Sequence, residues 1–443
     1  MLSPLANPTY RRLFLAQVLS LLGTGLATVA LGLLAYDLAG ADAGAVLGTA
    51  LAIKMVAYVA IAPVAGAYAA RLPRRTFLVA LDLLRAIVAL LLPFVTEIWQ
   101  VYVLIFVLQA GSAAFTPTFQ ATIPDVLPEE AEYTRALSLS RLAYDLEALA
   151  SPAIAAALLG LVGFHWLFAG NALGFLASAA LVLTLALPSP KPAATAAGPW
   201  GRTTRGLRIY LATPRLRGLL ALNLSVAAAG AMVIVNTVVL VRGGFGLGGR
   251  EVAWTLAAYG AGSMAAALAL PRLLDRILTD RAAMLTGAAI LSAGMLAGPF
   301  VGAWGALLPL WAVLGLGNGL ALTPAGRLLR RSAQAEDRPA VFAAQFALSH
   351  ACWLLTYPLA GWLAATAGTG TSFLALAAVA ALGGLAGVAA WPTADRAELE
   401  HVHRDLPPGD PHLADATPLP GGGWHHRHVF VVDDRHAAWP AAR

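Results

Sequence analysis

Long apolar stretches alternate with short polar connections along the whole chain: 13 to 36, 44 to 69, 76 to 98, 100 to 122, 135 to 160, 164 to 187, 216 to 241, 252 to 271, 282 to 303, 305 to 326, 340 to 366 and 371 to 391. The hydrocarbon core of a bilayer is about 30 Å thick and takes roughly 20 apolar residues in a helix, because every backbone N–H and C=O must be satisfied inside the segment. The pattern therefore predicts an all-α membrane protein of twelve transmembrane helices, numbered here along the chain. The run starting at Leu13 is too long for the core of a secretion signal and is expected to stay as helix 1.

Composition fixes the solvent. With 59% hydrophobic and 12% charged residues, the chain lacks the polar surface of a soluble fold, so its partner is the lipid bilayer. The formal charge of +6 changes meaning once located. Arg11 and Arg12 precede helix 1, Arg71, Arg74 and Arg75 join helices 2 and 3, and Arg202, Arg205, Arg208, Arg215 and Arg217 lie between helices 6 and 7. Arg272, Arg276 and Arg281 follow helix 8, and Arg327, Arg330, Arg331 and Arg338 follow helix 10, whereas the opposite side has Arg242 and Arg250. That asymmetry predicts a multi-pass protein of the plasma (bacterial inner) membrane with both termini cytoplasmic. It gives no nucleic-acid stripe. The single cysteine, Cys352, lies inside an apolar run and supports neither a disulfide framework nor a cysteine metal site.

The Pro-Ser-Pro-Lys-Pro segment and its surroundings, 188–215, read as a linker between a first six-helix half, 1–187, and a second, 216–391. A repeat supports the division. At an offset of 205 or 206, Leu19-Ser20 falls on Leu224-Ser225, Arg71 on Arg276, Val107-Leu108 on Val313-Leu314, Gly111 on Gly317 and Pro152 on Pro358. Two parallel repeats imply an axis along the membrane normal and a central cavity, which is the plan of an alternating-access carrier.

Ionisable groups inside such helices cost about 2.5–3.5 kcal/mol each even on the lenient insertion scale, so they need partners or water. Lys54, Asp82, Arg85, Arg141, Asp145 and Glu147 are of this kind. Asp82 with Arg85 at i,i+3, and Arg141 with Asp145 at i,i+4, share helix faces and can close as pairs within one helix. Lys54 and Glu147 have no opposite charge within a turn, so they point to a substrate or proton pathway shared with Arg141, Asp145, His350 and Asn318, in which Asp145 or Glu147, held near its protonation point, takes up and releases a proton. The second half offers His350 and uncharged groups such as Asn318. No His-Glu-x-x-His, Gly-x-Ser-x-Gly or Walker loop is present, so nothing predicts an enzyme.

Twelve spans, two halves and a basic loop after helices 2 and 8 resemble the major facilitator superfamily over residues 8 to 391. That family's loop reads Gly-x-x-x-Asp-Arg-x-Gly-Arg-Arg/Lys. This chain has Gly66, Arg71, Arg74 and Arg75, with Ala70 in place of the acid, while the second copy keeps Asp275-Arg276. The resemblance implies conformational-switch loops, with Asp82 as a substitute for the missing acid and Arg85 beside it. Asn7-Pro-Thr-Tyr-Arg-Arg-Leu-Phe-Leu-Ala-Gln and Phe115-Thr-Pro-Thr-Phe-Gln resemble the drug-efflux branch that includes macrolide exporters, which implies proton-driven export of a small amphipathic or cationic compound. No cofactor beyond the proton gradient and no oligomerisation is expected.

Residues 392–443 change character, being polar and holding His401, His403, His412, His425, His426, His428 and His436. Imidazole suits nickel, zinc or copper, and His-x-His or His-His-x-His segments chelate without a preformed fold. The tail resembles those of nickel-resistance exporters of the same superfamily, which gives an alternative: a divalent-metal exporter whose tail gathers the ion. A solvated tail without metal is the other reading. His428-Val-Phe-Val-Val-Asp433 is a strand-like run, and Trp424 and Trp439 favour docking on the cytoplasmic face.

Overall fold

The computed structural model describes residues 2–39, 43–69, 71–159, 161–188, 199–395, 398–404, 406–407, 410–436 and 438–440. The first half consists of α1 (Pro8–Ala39), α2 (Ala43–Ala69), α3 (Arg74–Leu91), α4 (Ile98–Val126), α5 (Glu130–Leu159) and α6 (His165–Leu183). A helix α7 (Pro199–Ala212) lies within the 188–215 segment. The second half follows as α8 (Pro214–Val238), α9 (Gly249–Arg276), α10 (Asp280–Ala297), α11 (Trp304–Leu322), α12 (Ala325–Arg331) and α13 (Arg338–Ala390). α13 is two consecutive helices that fold back on each other at Gly368, whose φ of 84° a residue with a Cβ rarely adopts, so that Ser372 Oγ donates to the Ala360 carbonyl oxygen at 3.1 Å. Among the described residues ten helices are long and apolar enough to cross a membrane, with both limbs of α13 counted as one. α5 has the same length but is set apart by the acids and bases it carries.

The repeat extends to where helices begin. Pro8, Arg74 and Ile98 open α1, α3 and α4, and residues 206 further on, Pro214, Asp280 and Trp304, open α8, α10 and α11. Packing repeats as well. α1 lies on α6 so closely that a Cβ on Gly174 would meet the Leu19 carbonyl oxygen at 2.6 Å, and α8 lies on the second limb of α13 with Gly383 as close to the Ala221 carbonyl oxygen. Large apolar side chains left uncovered on helices, such as Ile87, Leu176 and Leu385, form the surface that lipid covers.

The loop arginines, the N-terminal segment and the tail gather at one end of the bundle, called here the basic face. Ser3 Oγ donates to Glu132 there. The tail forms a small antiparallel sheet in the order β1-β3-β2, from β1 (Glu398–His403), β2 (Thr417–Pro418) and β3 (Trp424–Val429). It docks through Phe430, Val432 and Trp439, which pack with Tyr210 of α7, Leu216 of α8, and Phe342 and Trp391 of the second half.

Candidate functional site

Ionisable residues gather in two clusters, one between the halves and one in the tail. Midway along the bundle, Arg141 and Asp145 pair along α5 at 2.9 Å, one helical turn apart, and Arg141 Nε also donates to Ser263 Oγ of α9 at 2.9 Å. The pair therefore sits on the seam between the halves. Asp145 Oδ2 is buried and finds no hydrogen bond of ordinary length, although Ser263 is in its neighbourhood. Glu147 accepts from Ser151 Oγ at 3.3 Å and packs on Gly25, where any Cβ would collide with both side chains.

Lys54 makes no ion pair among the described residues, but it lies within electrostatic reach of Glu147 and of His350. Its ammonium sits 5.6 Å from the Tyr58 ring centre, a cation–π distance. Tyr58 in turn donates to Gln109 at 2.9 Å and meets the His350 ring edge-on at 4.7 Å across the seam. His350 also gives Nδ1 to the Phe346 carbonyl oxygen at 2.7 Å. Asn318 is buried on α11, and no hydrogen bond joins it to these charges among the described residues.

Asp82 and Arg85 pair within α3, with Ser178 donating to the other carboxylate oxygen at 2.7 Å. The Arg85 guanidinium lies 4.0 and 4.4 Å from the ring centres of Phe115 and Phe175. Both residues are thus spent inside the first half, and Asp82 does not stand in for the acid missing from the 2 to 3 loop. That correction has a physical reason: Asp82 lies two turns into α3 and faces α6, whereas the loop arginines are at its mouth.

The acid that meets a loop arginine is Asp125, at the end of α4. One of its oxygens accepts from Arg74 at 2.5 Å and the other pairs with Arg338, the first residue of α13. A single carboxylate therefore joins the first-half loop to the second half. Arg327 answers from the other side, reaching Glu130 of α5 at 2.6 Å while also pairing with Asp280 at 3.1 Å. Arg71 and Arg75 are exposed and make no ion pair among the described residues. Gly66 lets α2 touch α13, since its Cβ would lie 2.4 Å from that of Ala343. The side chains of Asp275 and Arg276 lie outside the described residues.

The tail histidines form the second cluster. His401 and His403 share one face of β1, and His426 and His428 share the same face of β3, because side chains alternate along a strand and His401 pairs in register with His426. His412 arrives from the turn at Pro411–Leu413 and His436 from the turn after β3. Four Nε2 atoms meet, His401 with His403, His426 and His436 at 3.1 Å and His403 with His436 at 3.2 Å, and the ring nitrogens of His412 and His428 join them in groups whose ligand atoms lie within 4.8 Å of one another. Burial, and then the neighbouring imidazoles, hold His401, His412 and His426 down at about 4, so they are neutral. His425, grouped with them from sequence, does not belong. It occupies the opposite face of β3, pairs in register with Val402, and stands beside Glu400 at 4.0 Å.

The sequence profile of the Major Facilitator Superfamily matches residues 13–277 and again 219–411. The chain belongs to that superfamily. As such it is a membrane transporter with no enzymatic chemistry to account for. Among its relatives are an uncharacterized MFS-type transporter, YfiS, of Bacillus subtilis (strain 168), 29% identical over 29% of this chain and 30% of that protein, and macrolide efflux protein A of Enterococcus faecalis, 26% identical over 32% and 47%. The matches thus span less than half of either relative. In fold the transporter is similar to the human organic anion transporter MFSD10 (TETRAN), with a TM-score of 0.74 at 14% identity over 86% of this chain and 98% of that one. It is also similar to a bacterial homologue of the iron transporter ferroportin solved facing outward, with a TM-score of 0.70, 14% identity and coverage of 86% and 99%.

Sequence reasoning missed Asp125, Glu130, Asp337 and Arg205 in this transporter. A signal for the first was available. At offset 206 Arg74 corresponds to Asp280 and Asp125 to Arg331, an ion pair repeated with its charges exchanged.

Proposed function

We propose that the transporter exports a small amphipathic or cationic compound in exchange for protons, from a plasma membrane in which the basic face is cytoplasmic and the chain works as a monomer. The excess of arginine on that face supports the orientation. Ion pairs Asp125–Arg338 and Arg327–Glu130 close the halves together there, which supports an outward-facing state. The observation that carries the reading is the Arg141–Asp145 pair on the seam with Ser263, beside Glu147 and Lys54. Rocking of the halves separates Arg141 from Ser263 and changes what surrounds a carboxylate that already lacks a full set of hydrogen bonds. Proton affinity then follows access, which is what exchange requires.

The test uses purified protein in liposomes with an imposed pH gradient and a panel of fluorescent cationic and amphipathic compounds. Asp145→Asn and Glu147→Gln are expected to lower gradient-driven transport by roughly a factor of ten or more, and Lys54→Ala less, with counterflow exchange of compound retained. Full gradient-driven transport in all three variants overturns proton coupling.

A second cargo has one specific observation in its favour, the folded histidine cluster of the tail. A divalent metal as exported solute is separated from an organic one by growth of cells lacking the gene on nickel, cobalt, zinc and several antibiotics. Sensitivity to metals alone selects the metal.

A further inference from the structure

Six imidazoles meeting at one point describe more than a histidine-rich patch. Each of the rings of His401, His403, His412, His426, His428 and His436 has four of the others at centroid distances of 4.6 to 5.2 Å. The one ring that each does not neighbour is its opposite: His401 faces His412, His403 faces His428, and His426 faces His436. Four neighbours and one antipode is the connectivity of an octahedron. The Nε2 separations of 3.1 to 3.2 Å among His401, His403, His426 and His436 are octahedral edges that put a central ion about 2.2 Å from those nitrogens, close to ordinary metal–imidazole lengths, and the ligand atoms of His412 and His428 lie within 4.8 Å of the others in their groups.

The outer nitrogens are arranged for the same purpose. His401 Nδ1 meets the Leu399 carbonyl oxygen at 3.2 Å, His428 Nδ1 the Val429 carbonyl oxygen at 2.7 Å, and His436 Nδ1 the Asp433 carboxylate at 2.9 Å. An acceptor at Nδ1 fixes the proton there and leaves the Nε2 lone pair directed inward. His412 Nε2 and His428 Nε2 are buried and without a hydrogen-bond partner.

We propose that these six histidines form one octahedral centre for a single divalent first-row transition ion, and that the ion fastens the tail across the cytoplasmic gate. An all-nitrogen set disfavours magnesium and calcium, which take oxygen ligands. Zinc favours four ligands and copper a tetragonal set, so nickel, the next tightest, suits the site best, followed by cobalt.

The fastening follows from the connections of His436. It holds Asp433, and the adjoining Asp434 accepts from Arg205 Nη1 at 2.5 Å. Arg205 forks onto both oxygens of Asp337 at 2.5 and 2.9 Å, and the next residue, Arg338, reaches Asp125 of the first half. On the other side of the same strand end, Val429 and Val431 line a cavity shared with Glu130 and Tyr133 of α5. A three-stranded sheet this short has little core of its own, so an ion at its centre contributes to its folding directly.

Full-length protein in lipid nanodiscs, stripped with a chelator and titrated with Ni2+, Co2+ and Zn2+, tests the centre without any transport step. One ion per chain is expected, bound most tightly as nickel, with the weak visible absorption of six-coordinate cobalt. His412→Ala and His436→Ala should each weaken nickel by at least the roughly 10–100-fold that loss of a partner behind a ligand costs, and His425→Ala should leave it unchanged. An intense four-coordinate cobalt spectrum, equal loss in His425→Ala, or no stoichiometric binding overturns the centre. For the fastening, spin labels at Glu129→Cys and Gln334→Cys, in a Cys352→Ala background, report the gate. Nickel should narrow their distance distribution, and Asp434→Ala should abolish that narrowing while the ion still binds; a distribution indifferent to nickel overturns it. Failure here leaves proton-coupled export standing, and failure of export in liposomes leaves the centre standing.

Discussion

The two halves start four of their helices at a fixed offset, yet they fill corresponding positions with different chemistry. Lys54 corresponds to Gly260, Asp82 and Arg85 to Ala288 and Leu291, and Arg141, Asp145 and Glu147 to Ala347, Ala351 and Trp353. Ala288 and Leu291 are as deeply buried in α10 as Asp82 and Arg85 are in α3. One scaffold thus tolerates either an ion pair or an apolar contact in the same layer. The scaffold therefore does not itself require charges in this layer, and their confinement to one half is what the proposed proton exchange draws on.

The sharpest way to break this comparison is at Asp82. Asp82→Ala leaves Arg85 buried between two aromatic rings without its carboxylate, which should cost about 3–5 kcal/mol. The expected outcome is loss of most folded protein in detergent, read by fluorescence-detected size exclusion and thermal unfolding. The double variant Asp82→Ala/Arg85→Leu copies the second half and should restore stability to the wild-type level or above, since replacing a buried pair with well-packed apolar groups is often neutral or favourable. If the double variant is as unstable as the single one, the halves are not interchangeable in this layer and the charges are structural after all.

The gate gives the next largest effect. Asp125→Ala removes the only carboxylate that holds Arg74 and Arg338 together among the described residues, whereas Asp280→Ala, its partner by repeat and charge exchange, loosens pairs within the second half first. Asp125→Ala should shift the closed gate by about 2 kcal/mol, enough to populate the open state heavily. Labels at 129 and 334 should then show a second, longer distance that Asp280→Ala shows weakly or not at all. Equal opening by both variants would mean that the exchanged pairs are equivalent and that the crossing contact of Asp125 adds nothing.

Spans and repeat were legible because lipid requires a similar length of apolar chain in every spanning helix, and so was the Asp82–Arg85 pair, since i,i+3 spacing needs no tertiary knowledge. Asp125 was not, because it ends a helix beside a loop and looks like any solvated acid until its partner, 213 residues away, is brought to it. The tail divides in the same way. Strand alternation groups His401 with His403 and His426 with His428, and leaves His425 on the far side. His412 and His436 come from turns, where no period tells which way a side chain faces.

The smallest effect is expected at Glu130, and it tests whether the two crossing bridges are alike. Asp125 is mostly enclosed, whereas the Glu130 side chain is 60% exposed, so its bridge to Arg327 is screened by water and salt. Exposed ion pairs typically contribute less than about 1 kcal/mol. Arg327 also keeps Asp280 and the Thr134 hydroxyl when Glu130 is neutralised, so no buried charge is stranded. Glu130→Gln should therefore leave stability unchanged within error and lengthen the 129 to 334 distance only slightly, with the difference vanishing in high salt. An opening as large as that of Asp125→Ala, persisting in high salt, would make the gate a symmetric two-bridge device despite the unequal burial of its acids.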